Sequence, residues 1–498
     1  MGAQKSIVLV TVDCLRADHV GFMGYDRPTT PFLDSLATES FVFPDAIVAG
    51  APTYYSFPAI LASRYPLGLG RDVLGLAPGE PSLASVLKQA GYATASFSAA
   101  NPYISSQFGY EQGFDIFHNF IEGEPAPFSD DTASTDAGGW ASRLNRKLQT
   151  VRPAMGPLRV LYDELYFRYC QFVTPPATSL DALRRFPAAD VIVDQACEWL
   201  ASIGHAPFFL WLHLMDPHSP YYPKDAALAL MGHDPVTPRR ARYLNSYWNR
   251  SDLGPARLAH RRNEVIALYD AGIRWVDVQM QCLVERLRAT GRWEDCIFAL
   301  TADHGEELLD HGGRYHPPTK LMEELIHVPL LLHVPGSEKK KIGRSPFSLL
   351  HLAPTLLDAA QLPVPSEFRG RSGWEDVRRG ASSDDVAISE CVAGCTNPFH
   401  SDKRLGSRVL SIREARFKLT LQFDPLEERL YDLEADPGEQ APLAPTAQKA
   451  VRRRLLELAR EHLRCSSSQR DQRRSLRARV RDLQLEWKRS FPQRSRSA

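Results

Sequence analysis

The chain contains no stretch approaching the roughly 20 apolar residues that cross a bilayer, although 44% of its 498 residues are hydrophobic. No cleavable apolar leader precedes the first apolar run, which begins at about Ser6 after Met-Gly-Ala-Gln-Lys. The expected compartment is therefore the cytoplasm. Cysteine is sparse and scattered, at eight residues. The only close pair, Cys391 and Cys395, lacks the spacing partners of a zinc site. Structural disulfides are not expected in a reducing compartment. Net charge is also missing, because 59 Lys and Arg balance 59 Asp and Glu. That balance hides an asymmetry. From Val451 to the end there are 15 Arg and Lys against 5 Asp and Glu, so the tail is strongly basic and the rest acidic. No internal repeat is visible.

The length predicts one large domain plus something smaller. Residues 1 to about 120 alternate apolar runs with helix-like segments, such as Leu83–Gln89 followed by an extended Tyr92–Phe97. Residues 121–185 break that rhythm with Gly, Pro and Asp clusters and an aromatic-rich stretch from Leu161 to Phe172, which reads as an insertion. The α/β rhythm resumes with a helix over Ala189–Ile203 and a strand over Phe208–Leu214. A long amphipathic helix follows over Asn263–Thr290, then strands at Cys296–Thr301 and Pro329–His333. Ser348–Ala360 reads as a helix that Pro354 kinks or restarts. After about residue 385, short alternating runs at Val386–Glu390, Val409–Ile412, Phe417–Gln422 and Glu428–Tyr431 predict a small antiparallel sheet. The organisation expected is a main domain over 1–380, a small α+β unit over 381–445, and a helical then disordered basic tail over 446–498.

Two short stretches carry the chemistry. Asp13-Cys14-Leu15-Arg16-Ala17-Asp18 follows the apolar run Ile7–Val10, and Asp303-His304-Gly305-Glu306 follows Cys296–Leu300. Apolar runs bounded by polar residues read as strands buried on both faces. Asp13, Asp303 and His304 then fall at strand ends, where open α/β sheets place their ligands. Two carboxylates and an imidazole converging there would hold one divalent cation. Taken alone, Asp303-His304-Gly305 reads equally well as a helix cap after a strand.

Several further motifs stand in order along the chain: Ile60-Leu61-Ala62-Ser63-Arg64-Tyr65-Pro66, His213-Leu214-Met215-Asp216-Pro217-His218-Ser219-Pro220-Tyr221, Val328-Pro329-Leu330 and Leu430-Tyr431-Asp432-Leu433 running on to Asp436-Pro437-Gly438-Glu439. Together they resemble the sulfatase branch of the alkaline phosphatase superfamily from Ile7 to about Leu443. The resemblance implies an α/β three-layer sandwich around a mostly parallel sheet, with a small C-terminal antiparallel subdomain. Two departures matter. A typical sulfatase has Cys-x-Pro-Ser-Arg, whose Cys is oxidised to formylglycine; here Thr53 stands at the Cys position and Phe57 at the Arg position. The second residue of the usual opening Asp pair is Cys14. Threonine at this position resembles phosphodiesterases and phosphotransferases of the superfamily, in which metal coordination turns a weak hydroxyl into a nucleophile.

The expected activity is a metal-dependent hydrolase or transferase of phosphate or sulfate esters, with Thr53 as nucleophile. The resemblance assigns Asp13, Thr53, Asp303 and His304 to one divalent ion, manganese or zinc before calcium or magnesium. It assigns His218 and Lys320 to the ester oxygens, with Asn101 and His316 as further substrate contacts; His311 is close enough in sequence to join. Ser56 is the alternative nucleophile. Two other readings stay open: a two-metal phosphodiesterase recruiting Asp216, His218 and His316, and a silent sulfatase fold used for binding. The expected partner is a small-molecule, glycan or lipid ester. The tail is either solvated or docks on an anionic surface, and no specific nucleic acid is expected.

Overall fold

The computed structural model describes residues 4–70, 73–121, 158–338, 342–381, 386–395, 398–399 and 406–466. Its centre is a seven-stranded sheet. In chain order the strands are β1 (Ser6–Val12), β2 (Phe41–Val42), β3 (Ala93–Ser98), β4 (Ile116–His118), β5 (Phe208–Leu214), β6 (Cys296–Ala302) and β7 (Leu330–His333). Their spatial order is β2-β7-β6-β1-β5-β3-β4. The run from β6 to β4 is parallel, and β7 and β2 close one edge with antiparallel pairs. Every residue of β1, β5 and β6 is buried. That is why these strands read as unbroken apolar runs rather than alternating ones.

Helices cover the sheet. The long α4 (Arg262–Ala289) buries Val265, Leu268, Tyr269, Val276, Met280, Leu283 and Leu287, a stripe at helical spacing. It packs against α3 (Ala189–Ser202), whereas α1 (Thr53–Ala62) packs against α5 (Leu352–Ala359). Pro354 lies in the first turn of α5, after a short 3-10 turn at Leu349–His351, where a missing amide donor breaks no intrahelical bond. Within the expected insertion, residues 122–157 lie outside the described set. The aromatic stretch forms α2 (Leu158–Val173), anchored where Arg250 pairs with Glu164 at 2.7 Å and lies over the Phe167 ring.

The C-terminal sheet is a meander of β8 (Val386–Val392), β9 (Arg408–Glu414), β10 (Phe417–Phe423) and β11 (Leu426–Asp432). Leu455 and Ala459, in a helix over residues 449–466, pack on Ile388, Leu410, Ile412, Leu419 and Leu430. The basic residues after 466 lie outside the described set.

A buried ionic cluster joins this sheet to the main domain. Lys418 on β10 is fully buried, with its ammonium 3.0 Å from Glu323 and 2.9 Å from Glu439. Arg413 bridges Glu323 at 2.7 Å and Asp45 at 2.6 Å. Burial would raise the Glu323 carboxyl, but Lys418 and Arg413 outweigh it and hold the pKa at about 2. Removing one partner from such a cluster leaves uncompensated charge. Lys418→Met should therefore lower unfolding stability by about 3–5 kcal/mol in urea titrations; a loss below about 1 kcal/mol would contradict this account.

Nearby, His311 Nδ1 meets Glu324 at 2.7 Å, and this hydrogen bond outweighs burial to raise the imidazole pKa. A raised folded-state value means that the pair stabilises fully below the unfolded value of about 6.5 and ceases to as pH rises through the folded value. The stability gap between wild type and Glu324→Gln should accordingly shrink from mildly acidic to alkaline buffer. A gap that widens with pH would show the opposite linkage.

Candidate active site

The register of the parallel strands assembles the site. Thr11 and Val12 of β1 align with Thr301 and Ala302 of β6, so Asp13 and Asp303 emerge side by side from adjacent strand ends. On the other flank Thr11 aligns with His213 of β5, and the Asp13 amide donates to the Leu214 carbonyl at 2.8 Å. Ser98 of β3 aligns with His213, and Asn101 follows three residues later. Four neighbouring strand ends thus deliver Asp303, Asp13, His213 and Asn101 to one point, the position expected for ligands in an open α/β sheet.

Asp13, Asp303 and His304 are all fully buried. His304 Nδ1 donates to the Gly305 carbonyl at 2.8 Å, leaving Nε2 with its lone pair. That nitrogen lies 3.6 Å from Asp13 Oδ1 and 3.6 Å from Asp303 Oδ2. Asp303 Oδ2 has no hydrogen-bond partner although it is buried. Two carboxylate oxygens and an imidazole lone pair facing one another in a dry site repel unless a cation lies among them. The residues therefore fit a divalent metal ion. One oxygen each of Asp13 and Asp303 and a nitrogen of His213 lie within 4.8 Å of one another, as do donor atoms of Asp13, Cys14 and His218.

The hydroxyl of Thr53 sits at the edge of this cluster, 3.2 Å from His304 Nε2. It is the first residue of α1, a buried ten-residue helix whose N-terminus favours negative charge. Ser56, one turn on, donates instead to the Asp303 carbonyl at 2.5 Å. Of the two hydroxyls, only Thr53 lines the large cavity of about 700 Å³. His218, Asn101 and His316 line the same cavity, with Tyr54, Tyr103, Phe186, Tyr315, Arg185 and Arg314 on its walls.

The remaining expected residues divide. Asn101 is primarily a positioning group: its Nδ2 donates to Asp13 Oδ2 at 2.9 Å. His316 Nδ1 donates to Glu306 Oε2 at 2.9 Å. Lys320 is not brought to the site. Its ammonium is engaged by both Glu307 oxygens, at 2.9 and 3.0 Å, and it lines a separate small cleft against β9 and β10. His311 belongs to the Glu324 pair described above. Asp216, required by the two-metal reading, is taken up by Arg184 at 2.8 Å. Sequence reasoning gave no role to His213, whose Nε2 is 3.4 Å from Asp13 Oδ2, or to Glu306, which also accepts from Tyr221 at 2.6 Å. His213 alone stood out along the chain, as a polar residue inside an otherwise apolar buried strand, although its role does not follow from that position.

Electrostatics follow the crowding. Burial would raise the Asp13 carboxyl, but His218, His213 and His304 together hold it well below the usual range. Burial and the adjacent Asp13 charge raise Asp303. Burial, then Glu306 and Asp13, push the Cys14 thiol well up. Burial lowers the His218 imidazole in spite of Asp13.

Comparison with known proteins identifies the family. Residues 5–362 match the sulfatase family, and residues 314–463 match the family described as N-sulphoglucosamine sulphohydrolase, C-terminal. The chain belongs to the sulfatase family, within the alkaline phosphatase-like superfamily. Among its relatives, an arylsulfatase of Clostridium perfringens is 25% identical over 88% of this chain and 89% of its own. The multifunctional alkaline phosphatase superfamily protein PehA of Trinickia caryophylli is 22% identical over 89% and 91%. The fold is shared with the phosphonate monoester hydrolase of Agrobacterium radiobacter, with a TM-score of 0.60 at 18% identity over 93% of this chain and 96% of that one. It is also shared with a protein solved in complex with its substrate D-glucosamine-2-N,6-O-disulfate, with a TM-score of 0.63 at 18% identity over 93% and 98%.

A cation that binds the folded site alone stabilises the fold, by about 2.7 kcal/mol at a hundredfold excess over its Kd. Divalent metal should raise the thermal midpoint of the wild type, and Asp303→Asn should remove most of that shift. An undiminished shift in the variant would place the ion elsewhere.

Proposed function

We propose that the protein hydrolyses, or transfers from, sulfate, phosphate or phosphonate esters, with Thr53 as the attacking group. The observation that carries this reading is the Thr53 hydroxyl. It opens a buried helix, faces the His304 imidazole at 3.2 Å and borders a large cavity. A divalent ion held by Asp13, Asp303 and His304 would supply Lewis acidity, lowering the pKa of that hydroxyl and screening the ester's oxyanions.

The protein's own groups account for the other requirements. Asn101 and His213 fix Asp13 through its Oδ2, leaving Oδ1 toward His304. The N-terminus of α1 favours an anion beside Thr53. Thr53 attacks the central sulfur or phosphorus, the alcohol leaves, and an ester of Thr53 forms. His218 lines the cavity and burial disfavours its charged form, which suits it to accept a proton from the water or alcohol that releases this ester. With Lys320 held by Glu307, the cavity's cationic side chains are Arg185 and Arg314, and Arg314 Nη1 has no hydrogen-bond partner. Aromatic walls with two guanidinium groups suit a ring-bearing alcohol, aryl or sugar, that carries further negative charge.

The test is a panel of aryl and sugar sulfates, phosphate mono- and diesters and phosphonate monoesters, assayed with manganese, zinc, magnesium and calcium. Thr53→Ala should lower kcat by at least about 10³-fold on any ester that turns over. It should also abolish the covalent ester that wild type accumulates on Thr53, detected by mass spectrometry of quenched reactions. Near-normal turnover in that variant would rule out the nucleophile.

A further inference from the structure

The loop that carries Asp13 also turns Cys14 into the site, and it does so in an unfavourable backbone conformation. Cys14 has φ = 61°, in the left-handed region. For a residue with a Cβ this conformation is strained and persists only where the surroundings impose it. The surroundings here are specific. The Tyr269 hydroxyl donates to the Cys14 carbonyl at 2.6 Å and accepts from the Arg16 amide at 3.1 Å, clamping both sides of the turn. Tyr269 is itself buried in α4. The result is a fully buried sulfur lodged among ionisable groups, 3.2 Å from Asp13 Oδ1 and 3.3 Å from His316 Nδ1.

The histidines around it share one arrangement. His304 Nδ1 donates to the Gly305 carbonyl, His218 Nδ1 to the Ser219 carbonyl and His316 Nδ1 to the Glu306 carboxylate. Each acceptor is an oxygen, so each ring keeps its lone pair on Nε2, which in His304 faces the Thr53 hydroxyl at 3.2 Å. An imidazole anchored through one nitrogen by a carbonyl or carboxylate is the arrangement of metal-ligating histidines. The Cys14 sulfur and one ring nitrogen each from His304 and His316 lie within 4.8 Å of one another. A set of one sulfur and two imidazoles is ill suited to calcium or magnesium, which take oxygen ligands, and well suited to zinc or cobalt.

We propose that Cys14 is a direct thiolate ligand, with His304 and His316, of the ion that serves the site, and that this ion is of the zinc class. The proposal rests on the reading that Asp13, Asp303 and His304 surround a cation, and it deepens that reading by naming the donor that selects the ion. On binding, the Cys14 thiol gives up its proton to solvent and the sulfur takes the ion as its partner in place of Asp13 Oδ1.

The experiment is optical titration of metal-free full-length protein with cobalt(II), beside X-ray absorption of the zinc-loaded wild type. A thiolate-to-cobalt charge-transfer band in the near ultraviolet should appear with the visible ligand-field bands. Cys14→Ser should lose the former and keep the latter. Zinc absorption should show a sulfur neighbour at about 2.3 Å, and this measurement needs no variant, so a poorly folded Cys14→Ser still leaves the proposal decidable. Ligand-field bands without the charge-transfer band, with only nitrogen and oxygen neighbours around zinc, would overturn the thiolate ligand while leaving the Thr53 reading intact. Failure of the wild type to bind cobalt or zinc would also overturn the thiolate ligand, and failure to bind any divalent ion would overturn both.

Discussion

Two carboxylates and an imidazole lone pair in one dry pocket repel unless a cation or a proton sits among them, and the register between β1 and β6 imposes that encounter. Alignment of Val12 with Ala302 leaves no freedom over where Asp13 and Asp303 emerge. The sheet core is buried throughout at this level, so neither charge can turn to solvent. Much of the local architecture answers this crowding. Asn101 and His213 engage one oxygen of Asp13, and the Asp303 Oδ1 oxygen accepts from the His304 amide at 3.0 Å. The unpartnered Oδ2 of Asp303 is what the protein alone leaves unresolved.

A second concentration of buried charge performs a different task. Lys418 and Arg413 offset the carboxylates of Glu323, Glu439 and Asp45 within the protein, with Lys418 Nζ and Arg413 each engaging two of them. The contrast separates a structural ionic cluster from a ligand-binding one. In the first, every carboxylate has an ammonium or guanidinium within 3.0 Å. In the second, acceptors predominate, and among the described residues the only basic groups beside Asp13 and Asp303 are imidazoles. By the same criterion Glu307, with Lys320 against both oxygens, belongs to the first kind.

The fold was largely legible because its signals are local. Unbroken apolar runs marked β1, β5 and β6, helical periodicity marked α4, and short alternating runs marked the C-terminal meander, with boundaries off by a few residues. The core of the site was legible for the same reason: Asp13, Asp303 and His304 directly follow strands, so strand order brings them together. Lys320 was not, because a residue in an irregular loop carries no periodic signal of its direction, and a buried glutamate thirteen positions earlier captured it. His213 and Glu306 were overlooked because their roles arise only from cross-strand register and from Tyr221, which no pattern along a single segment encodes. Cys14 was visible as a substitution of an oxygen donor, but the turn that aims its sulfur depends on Tyr269, more than 250 residues away.

Glu306 holds His316 with one oxygen and Tyr221 with the other. Tyr221 follows Pro220, which lines the large cavity, and His316 stands among the residues that could hold a metal ion. Pocket shape and ion affinity are thereby mechanically linked through one carboxylate. Were an ion held there, a substitution in the Ser219–Tyr221 wall and one among its ligands would act on each other through Glu306 rather than independently.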